Sequence, residues 1–387
     1  MRVEHKRKFM PVGHGAFFIE RIFVDDQRVL TAVYDCGDSD AGVKVDTYAK
    51  QEFGQPDDEG REMIDILFIS HFDDDHINGL KYLQPYLKQT TRVFMPFYYT
   101  HMQNVYDRNK RTGIATIISI LTPLNIKPIW VRYVSEGEQA VEVDIDEYDY
   151  ERSSQTISSG QPIIKKVQGI PIWRYVPFNL FNEKLHFQHF SDKVKNDLHW
   201  NDAKLQDAEH WTDQDIKGLR NIYNSFSGTT INDNSLIVLS DKTIECRGHF
   251  YARRAHYFKQ QNNWPSLRCF SRCCISCLYT GDMVLKRGVR KASKYVDRYE
   301  TFLKDLQRYT GRISLMQIPH HGSGNNSNIA SLCDCISLRL FCNYDTADLG
   351  TAITMLTGSK LESVWKNIYS VTEDTKSVFE EKFHYWV

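Results

Sequence analysis

The sequence predicts an α/β (α+β) protein, because apolar strand-like runs alternate with helical stretches and several runs break abruptly into polar, glycine-containing loops. A further observation places chemistry on those breaks. Directly after the apolar residues 64–69 comes Ser70-His71-Phe72-Asp73-Asp74-Asp75-His76, with five groups able to bind metal in six positions. Carboxylates crowded this tightly repel one another, and one or two divalent cations would offset the repulsion. A solvated acidic helix N-terminus would account for the aspartates. It would not account for the two histidines that flank them.

Taken in order, residues 17–22 and 29–35 read as strands joined by the turn Asp25-Asp26-Gln27, and Asp35-Cys36-Gly37-Asp38 closes the second with turn chemistry. A polar helical stretch follows, then the strand that carries the histidine-aspartate loop. Residues 80–87 continue as helix, 92–96 as strand, 113–121 as helix and 129–133 as strand. Residues 134–160 hold eight Asp or Glu against one Arg and no helical apolar stripe, which reads as an exposed loop or hairpin. Residues 183–225 look helical and polar. Strands at 235–240 and 277–280 are separated by 36 residues where a hairpin needs only about 2–5, so an insertion lies between them. From Cys246 to Arg298 there are twelve Lys or Arg against two Asp and no Glu. This run is a solvated face, a partner for the acidic 134–160 segment, or an anion-guiding wall beside the site.

Composition bounds the function. The 387 residues, 41% hydrophobic, suffice for a sizeable core, and no linker divides them, so one domain over 1–387 is expected, with insertions at about 134–230 and 241–277. A net charge of -1 gives no whole-molecule argument for a nucleic-acid or membrane partner. No run approaches the ~18 apolar residues of a membrane span. Nine cysteines, an odd number, and a charged N-terminus with no apolar stretch behind it favour reduced thiols and a cytoplasmic setting. Cys274-x-x-Cys277 has zinc-knuckle spacing, but on a strand residues three apart face opposite ways and cannot easily share an ion.

Two further strand ends complete the pattern: Thr280-Gly281-Asp282 after Tyr279, and Pro319-His320-His321-Gly322-Ser323 after residues 315–318. The succession Asp35-x-Gly37, His71-x-Asp73-x-Asp75-His76, Thr280-Gly281-Asp282 and Pro319-His320-His321-Gly322-Ser323 resembles the metallo-β-lactamase superfamily. It is most similar to the branch formed by the hydrolase domain of DNA-uptake competence channels and its stand-alone relatives. Val12-Gly13-His14-Gly15 resembles that branch's Val-Gly-Gln-Gly, and Asn232-Asp233-Asn234-Ser235-Leu236 its Asn-x-Asn-Ser-Leu. The chain also departs from it. Asp73 stands where most of the superfamily has a second His, and Asn232 and Asn234 stand near the place of the usual third. His14 replaces a Gln, Ala16 an Asp, and Asn343-Tyr344-Asp345 a Gly-His-Pro.

The resemblance implies a four-layer αββα sandwich with metals at the rim between two sheets. It implies two divalent cations that lower the pKa of a shared water. His71 and Asp73 would hold one cation, Asp75 and His76 the other, with Asp282 as the bridge. One of His320 and His321 would complete the second position, and the other would protonate the leaving group or bind substrate. The oxygen-rich set suits Mn²⁺, with Zn²⁺ close behind and Mg²⁺ as a further candidate. Asp75, His320 and His321 are the expected catalytic residues. Asp35 reads as a turn residue or a support for the ligands, and His14 either touches the site or packs.

The leading expectation is a phosphodiesterase or nuclease acting on nucleic acid or a nucleotide. Carboxyl-ester, lactone or thioester hydrolysis is the alternative on the same site. From another class, an effector or binding subunit would act only with a protein partner engaged through the insertions. Phosphodiester cleavage predicts positive potential near the metals, and ester cleavage predicts an apolar cleft.

Overall fold

The computed structural model describes residues 1–97, 113–133, 141–146, 156–180, 183–206, 212–225, 235–243, 247–254, 275–283, 298–310, 313–322, 340–343 and 368–387. The frame is two mixed sheets. In the first, β1 (Arg2–Phe9), β2 (Phe18–Val24) and β3 (Gln27–Tyr34) form an antiparallel meander, with β17 (Phe379–Trp386) and then β12 (Arg247–Arg254) added beyond β1. On the other side of β3 the sheet turns parallel through β4 (Ile66–Phe68), β5 (Arg92–Pro96), β6 (Ile129–Arg132) and β8 (Thr156–Ser158). The second sheet is parallel from β16 (Ile368–Val371) through β15 (Leu340–Asn343) and β14 (Leu315–Gln317) to β13 (Cys277–Tyr279). It continues antiparallel through β11 (Ile237–Lys242), β10 (Ile170–Phe178) and β9 (Ile163–Val167), with β7 (Val143–Asp144) parallel on β9.

Local chemistry explains these elements. Asp25 and Asp26 have φ of 46° and 69°, the two left-handed residues that a two-residue hairpin turn requires between β2 and β3. β4 is buried on both faces, as expected of a central parallel strand. Helix α1 (Val43–Phe53) buries Val45, Tyr48, Ala49 and Phe53, one stripe at helical spacing. Its entry is held by the Asp38 carboxylate, which accepts from the N–H groups of Gly42, Lys44 and Val45 at 2.8–3.1 Å.

Phe18, Tyr34 and Phe68 of the first sheet meet Trp173, Tyr175, Val238 and Tyr279 of the second in one shared core. The Tyr34 hydroxyl donates across it to Leu236 O at 2.7 Å. The other face of the first sheet carries α1, α3 (Leu80–Leu83) and α4 (Ile114–Leu121). Phe190 of α5 (Glu183–Asp197), Leu205 of α6 (Asp202–Gln206) and Leu219 of α7 (Asp213–Ser225) join that cluster. On the second sheet, α8 (Arg298–Gln307) sets Phe302 edge-on against Phe178, with ring centroids 5.4 Å apart.

Several segments take places in the fold that their local pattern does not show. The charged N-terminus is the interior strand β1, because its charges are paired: buried Arg7 donates to Glu20 at 2.6 Å and to Glu381 at 3.0 Å. The segment 134–230, expected as an insertion, supplies β8 to one sheet and β7, β9 and β10 to the other. Among the described residues of the acidic 134–160 stretch, β7 and β8 lie in different sheets and do not pair with each other as a hairpin. Within 241–277, β12 crosses to the edge of the first sheet. Cys36 and Cys277 are buried free thiols, and burial pushes the Cys342 thiol up to about 12, which leaves it inert. Cys274 lies outside the described residues. Among those residues no helix is long and apolar enough to cross a membrane.

Candidate metal centre

Each sheet changes from antiparallel to parallel pairing at a central strand, β3 in the first and β13 in the second. Ligand sites form beyond the carboxyl ends of strands at such switches, because neighbouring loops diverge there. Asp35 follows β3, the histidine-aspartate loop follows β4, Thr280-Gly281-Asp282 follows β13, and His320-His321 follows β14. The sequence-predicted pieces therefore converge from both sheets on one rim.

Asp282 stands at the centre, 3% exposed. Its Oδ2 lies 3.8 Å from His71 Nε2 and 3.7 Å from His320 Nε2. Its Oδ1 lies 3.2 Å from His76 Nε2 and 3.8 Å from His321 Nε2. Asp75 Oδ2 is 3.3 Å from His321 Nε2 and 3.8 Å from His76 Nε2. Two sets of donor atoms result, His71-His76-Asp282 and Asp75-His76-His321, each within 4.8 Å. Donors sharing one ion at ~2.1 Å lie roughly 3–4 Å from each other, so these spacings fit a divalent cation. The buried atoms say the same. His71 Nε2, His76 Nε2 and Asp282 Oδ1 are shut off from solvent without a hydrogen-bond partner, an arrangement costly for polar groups unless a ligand satisfies them.

Asp73 occupies the N-cap of the single-turn helix α2 (Asp74–Ile77), but its side chain makes no capping bond. Its Oδ2 is 3.9 Å from His71 Nε2, outside both trios. The two adjacent histidines divide. His321 turns inward beside Asp75, whereas His320 is about one-third exposed at the mouth and outside the trios. His320 and His321 have φ of 49° and 50°, a left-handed backbone that lets two consecutive side chains reach the same centre. His14 tilts against the His321 ring with centroids 4.8 Å apart, so it belongs to the rim. Asn232, Asn234 and Ser323 lie outside the described residues.

The electrostatics are those of a cation site. Burial alone would push the Asp282 carboxyl up, but the imidazoles of His76, His321 and His71 hold it well below the usual carboxylate range. Asp75 is also held low, where His76 and His321 outweigh its burial. Burial would depress His76, yet Asp282, Asp75 and Asp35 raise it well above an ordinary histidine. His321 rises for the same reason, through Asp282 and Asp75. Burial lowers His71 and His320, which favours the neutral imidazole a metal needs. The pocket thus attracts positive charge around two fixed carboxylates.

Residues outside the two donor sets hold the centre. Asp35 is fully buried and accepts from Ser70 N and Ser70 Oγ, each at 2.6 Å, and from His76 Nδ1 at 2.8 Å. Gln317 Oε1 accepts from Thr280 N at 3.0 Å and Gly281 N at 3.1 Å, which fixes the turn that aims Asp282. The signal for Gln317 was present: one amide in the otherwise apolar run Leu315-Met316-Gln317-Ile318. Gly281 has φ +52°, and a Cβ there would come within 2.7 Å of Ser70 Cβ, so the two loops that carry His71 and Asp282 touch through a glycine. A cavity of about 470 Å³ adjoins the centre, lined by Asp75 and Lys81 together with Ile77, Leu80, Ile117 and Ile120. No family model matches the chain, and no curated protein matches it.

Proposed function

We propose that the chain is a metal-dependent hydrolase of the metallo-β-lactamase superfamily, a phosphodiesterase or nuclease with two divalent cations. Mn²⁺ or Zn²⁺ is favoured, with Mg²⁺ as a further candidate. The observation that carries this reading is the placement of Asp282, whose two oxygens face separate pairs of histidines. His71, Asp73 and Asp282 would hold one cation, and Asp75, His76, His321 and Asp282 the other. Bound there, the cations supply Lewis acidity and activate a water. His320, at the mouth, is placed to hold a substrate anion or to pass a proton to the leaving group. The ligand set is rich in carboxylate oxygen, which suits phosphoryl substrates with Mn²⁺ or Mg²⁺. The basic composition of 246–298 supports an anionic substrate such as nucleic acid. Helices on the outer faces of both sheets support the four-layer αββα arrangement.

One observation favours a second reading. The cavity beside Asp75 has an aliphatic wall of Ile77, Leu80, Ile117 and Ile120, which suits the apolar part of a carboxyl ester, lactone or thioester. The test is hydrolysis by metal-stripped protein given Mn²⁺, Zn²⁺ or Mg²⁺, on single-stranded DNA, duplex DNA, RNA, bis-p-nitrophenyl phosphate and a lactone. Phosphodiester cleavage that Asp75→Ala loses by at least about 10³-fold is the expected result. Cleavage of the lactone alone would replace the first reading with the second. Metal uptake with silence on every substrate would reassign the chain to an effector that needs a protein partner.

A further inference from the structure

The proposed pair of cations needs both His71 and His76 to present Nε2 as a lone pair, with the ring proton on Nδ1. A free neutral imidazole side chain prefers the opposite tautomer, so something must enforce the choice. The hydrogen bonds around Ser70 decide it. Asp35 Oδ2 takes the Ser70 hydroxyl proton at 2.6 Å and His76 Nδ1–H at 2.8 Å. Ser70 Oγ also lies 2.9 Å from His71 Nδ1. A serine hydroxyl has one proton, and here the carboxylate, which can only accept, takes it. Ser70 Oγ must then accept from His71, which places the proton of His71 on Nδ1. Direction runs one way along the chain, from His71 through Ser70 to Asp35, with His76 arriving at the same oxygen from the other side. All four residues are fully buried, so water does not compete for these bonds. The outward Nε2 atoms of His71 and His76 are left without hydrogen-bond partners, as this direction requires.

We infer that Asp35 and Ser70 are positioning residues that set the tautomers of both histidines from one carboxylate, Asp35 acting directly on His76 and through Ser70 on His71. The inference rests on the two-cation reading above. It makes the two positions unequal: loss of Ser70 uncouples only His71, whereas loss of the Asp35 charge uncouples both. In Asp35→Asn the shape is kept, but an amide N–H would face the Ser70 hydroxyl and His76 Nδ1 where an acceptor now stands.

The test is titration of metal-stripped full-length protein with Mn²⁺ and Zn²⁺ by calorimetry, with elemental analysis of the loaded protein. Circular dichroism and thermal unfolding of the metal-free forms serve as the fold control. Wild type should take two ions. Ser70→Ala should weaken one of them roughly 10–100-fold and spare the other, and Asp35→Asn should weaken both. Ring nitrogen shifts of ¹⁵N-histidine protein supply a second readout, in which neutral His71 carries its proton on Nδ1 in wild type and moves toward Nε2 in Ser70→Ala. Two ions bound unchanged by both variants would overturn the relay alone, as would equal weakening of both ions in Ser70→Ala. Wild-type protein that takes up no divalent ion overturns the metal reading and the relay with it.

Discussion

At the scale of single residues, the centre depends on glycines as much as on its ligands. Gly37 shows why. A Cβ built there would lie 2.1 Å from Asp75 O, 2.2 Å from Asp75 C and 2.4 Å from His76 N, all backbone atoms. Backbone cannot swing aside as a side chain can, and this stretch is pinned on both flanks by Cys36 N donating to His76 O and Gly79 N donating to Cys36 O. Gly37→Ala should therefore displace the peptide between two proposed ligands. The expected cost is at least about 2 kcal/mol of stability, the range of overpacked interiors, together with loss of tight metal binding. Urea unfolding and metal titration of the variant measure both, and wild-type behaviour in each would refute the role given to this contact. Asp38, three residues from Asp35 in the chain, has a different duty, since α1's entry uses both of its oxygens. Sequence proximity alone would not have separated the two aspartates.

At the scale of elements, the two sheets are joined by a buried polar cluster. Glu20 of β2 accepts from Arg7 of β1, from Tyr279 of β13 at 2.7 Å and from Ser240 of β11 at 2.6 Å, and Trp173 of β10 donates to Ser240 at 3.0 Å. Burial alone would raise the Glu20 carboxyl, but the Arg7 guanidinium holds it well below the carboxylate range. A carboxyl depressed in the folded state stabilises the protein fully above its unfolded value, here the ordinary 4.5, and loses that contribution as pH falls toward the folded value. Thermal unfolding should therefore show a falling Tm as acid is added below about pH 4.5. Glu20→Gln should lower Tm at pH 7, because Arg7 loses one of its two buried carboxylate partners, at a cost of about 3–5 kcal/mol. The same variant should flatten the acid slope, and an unchanged slope would show that Glu20 is not the titrating group. The strands involved explain why charge-rich β1 was hidden from pattern reading. Its buried Arg7 is satisfied by partners 13 and 374 positions away, which no local periodicity records.

For the whole molecule, the centre is a clasp between sheets. His71 and His76 leave the first sheet after β4, and Asp282 and His321 leave the second after β13 and β14. A ligand that binds only the folded form adds stability by mass action, about 2.7 kcal/mol at one hundred times its Kd. Metal-stripped protein should accordingly melt several degrees lower than protein given Mn²⁺ or Zn²⁺. Asp282→Ala should abolish that difference while keeping a cooperative transition. A metal-induced rise in Tm that survives in Asp282→Ala would place the ions elsewhere.

Much of this was written in the chain. Strand ends that break into His71-Phe72-Asp73-Asp74-Asp75-His76, Thr280-Gly281-Asp282 and Pro319-His320-His321 named the loops that meet at the rim, because ligand type and strand-to-loop transition are local properties. The α/β class and most early strands were legible for the same reason. Only the tertiary structure decided that β9 and β10 belong to the second sheet, that His321 and not His320 turns inward, and that Asp35 ties both ligand histidines together. Those outcomes depend on which distant residues satisfy each buried polar group. Burial and pairing are properties of the folded chain, so a sequence shows that a polar residue is there but not what it faces.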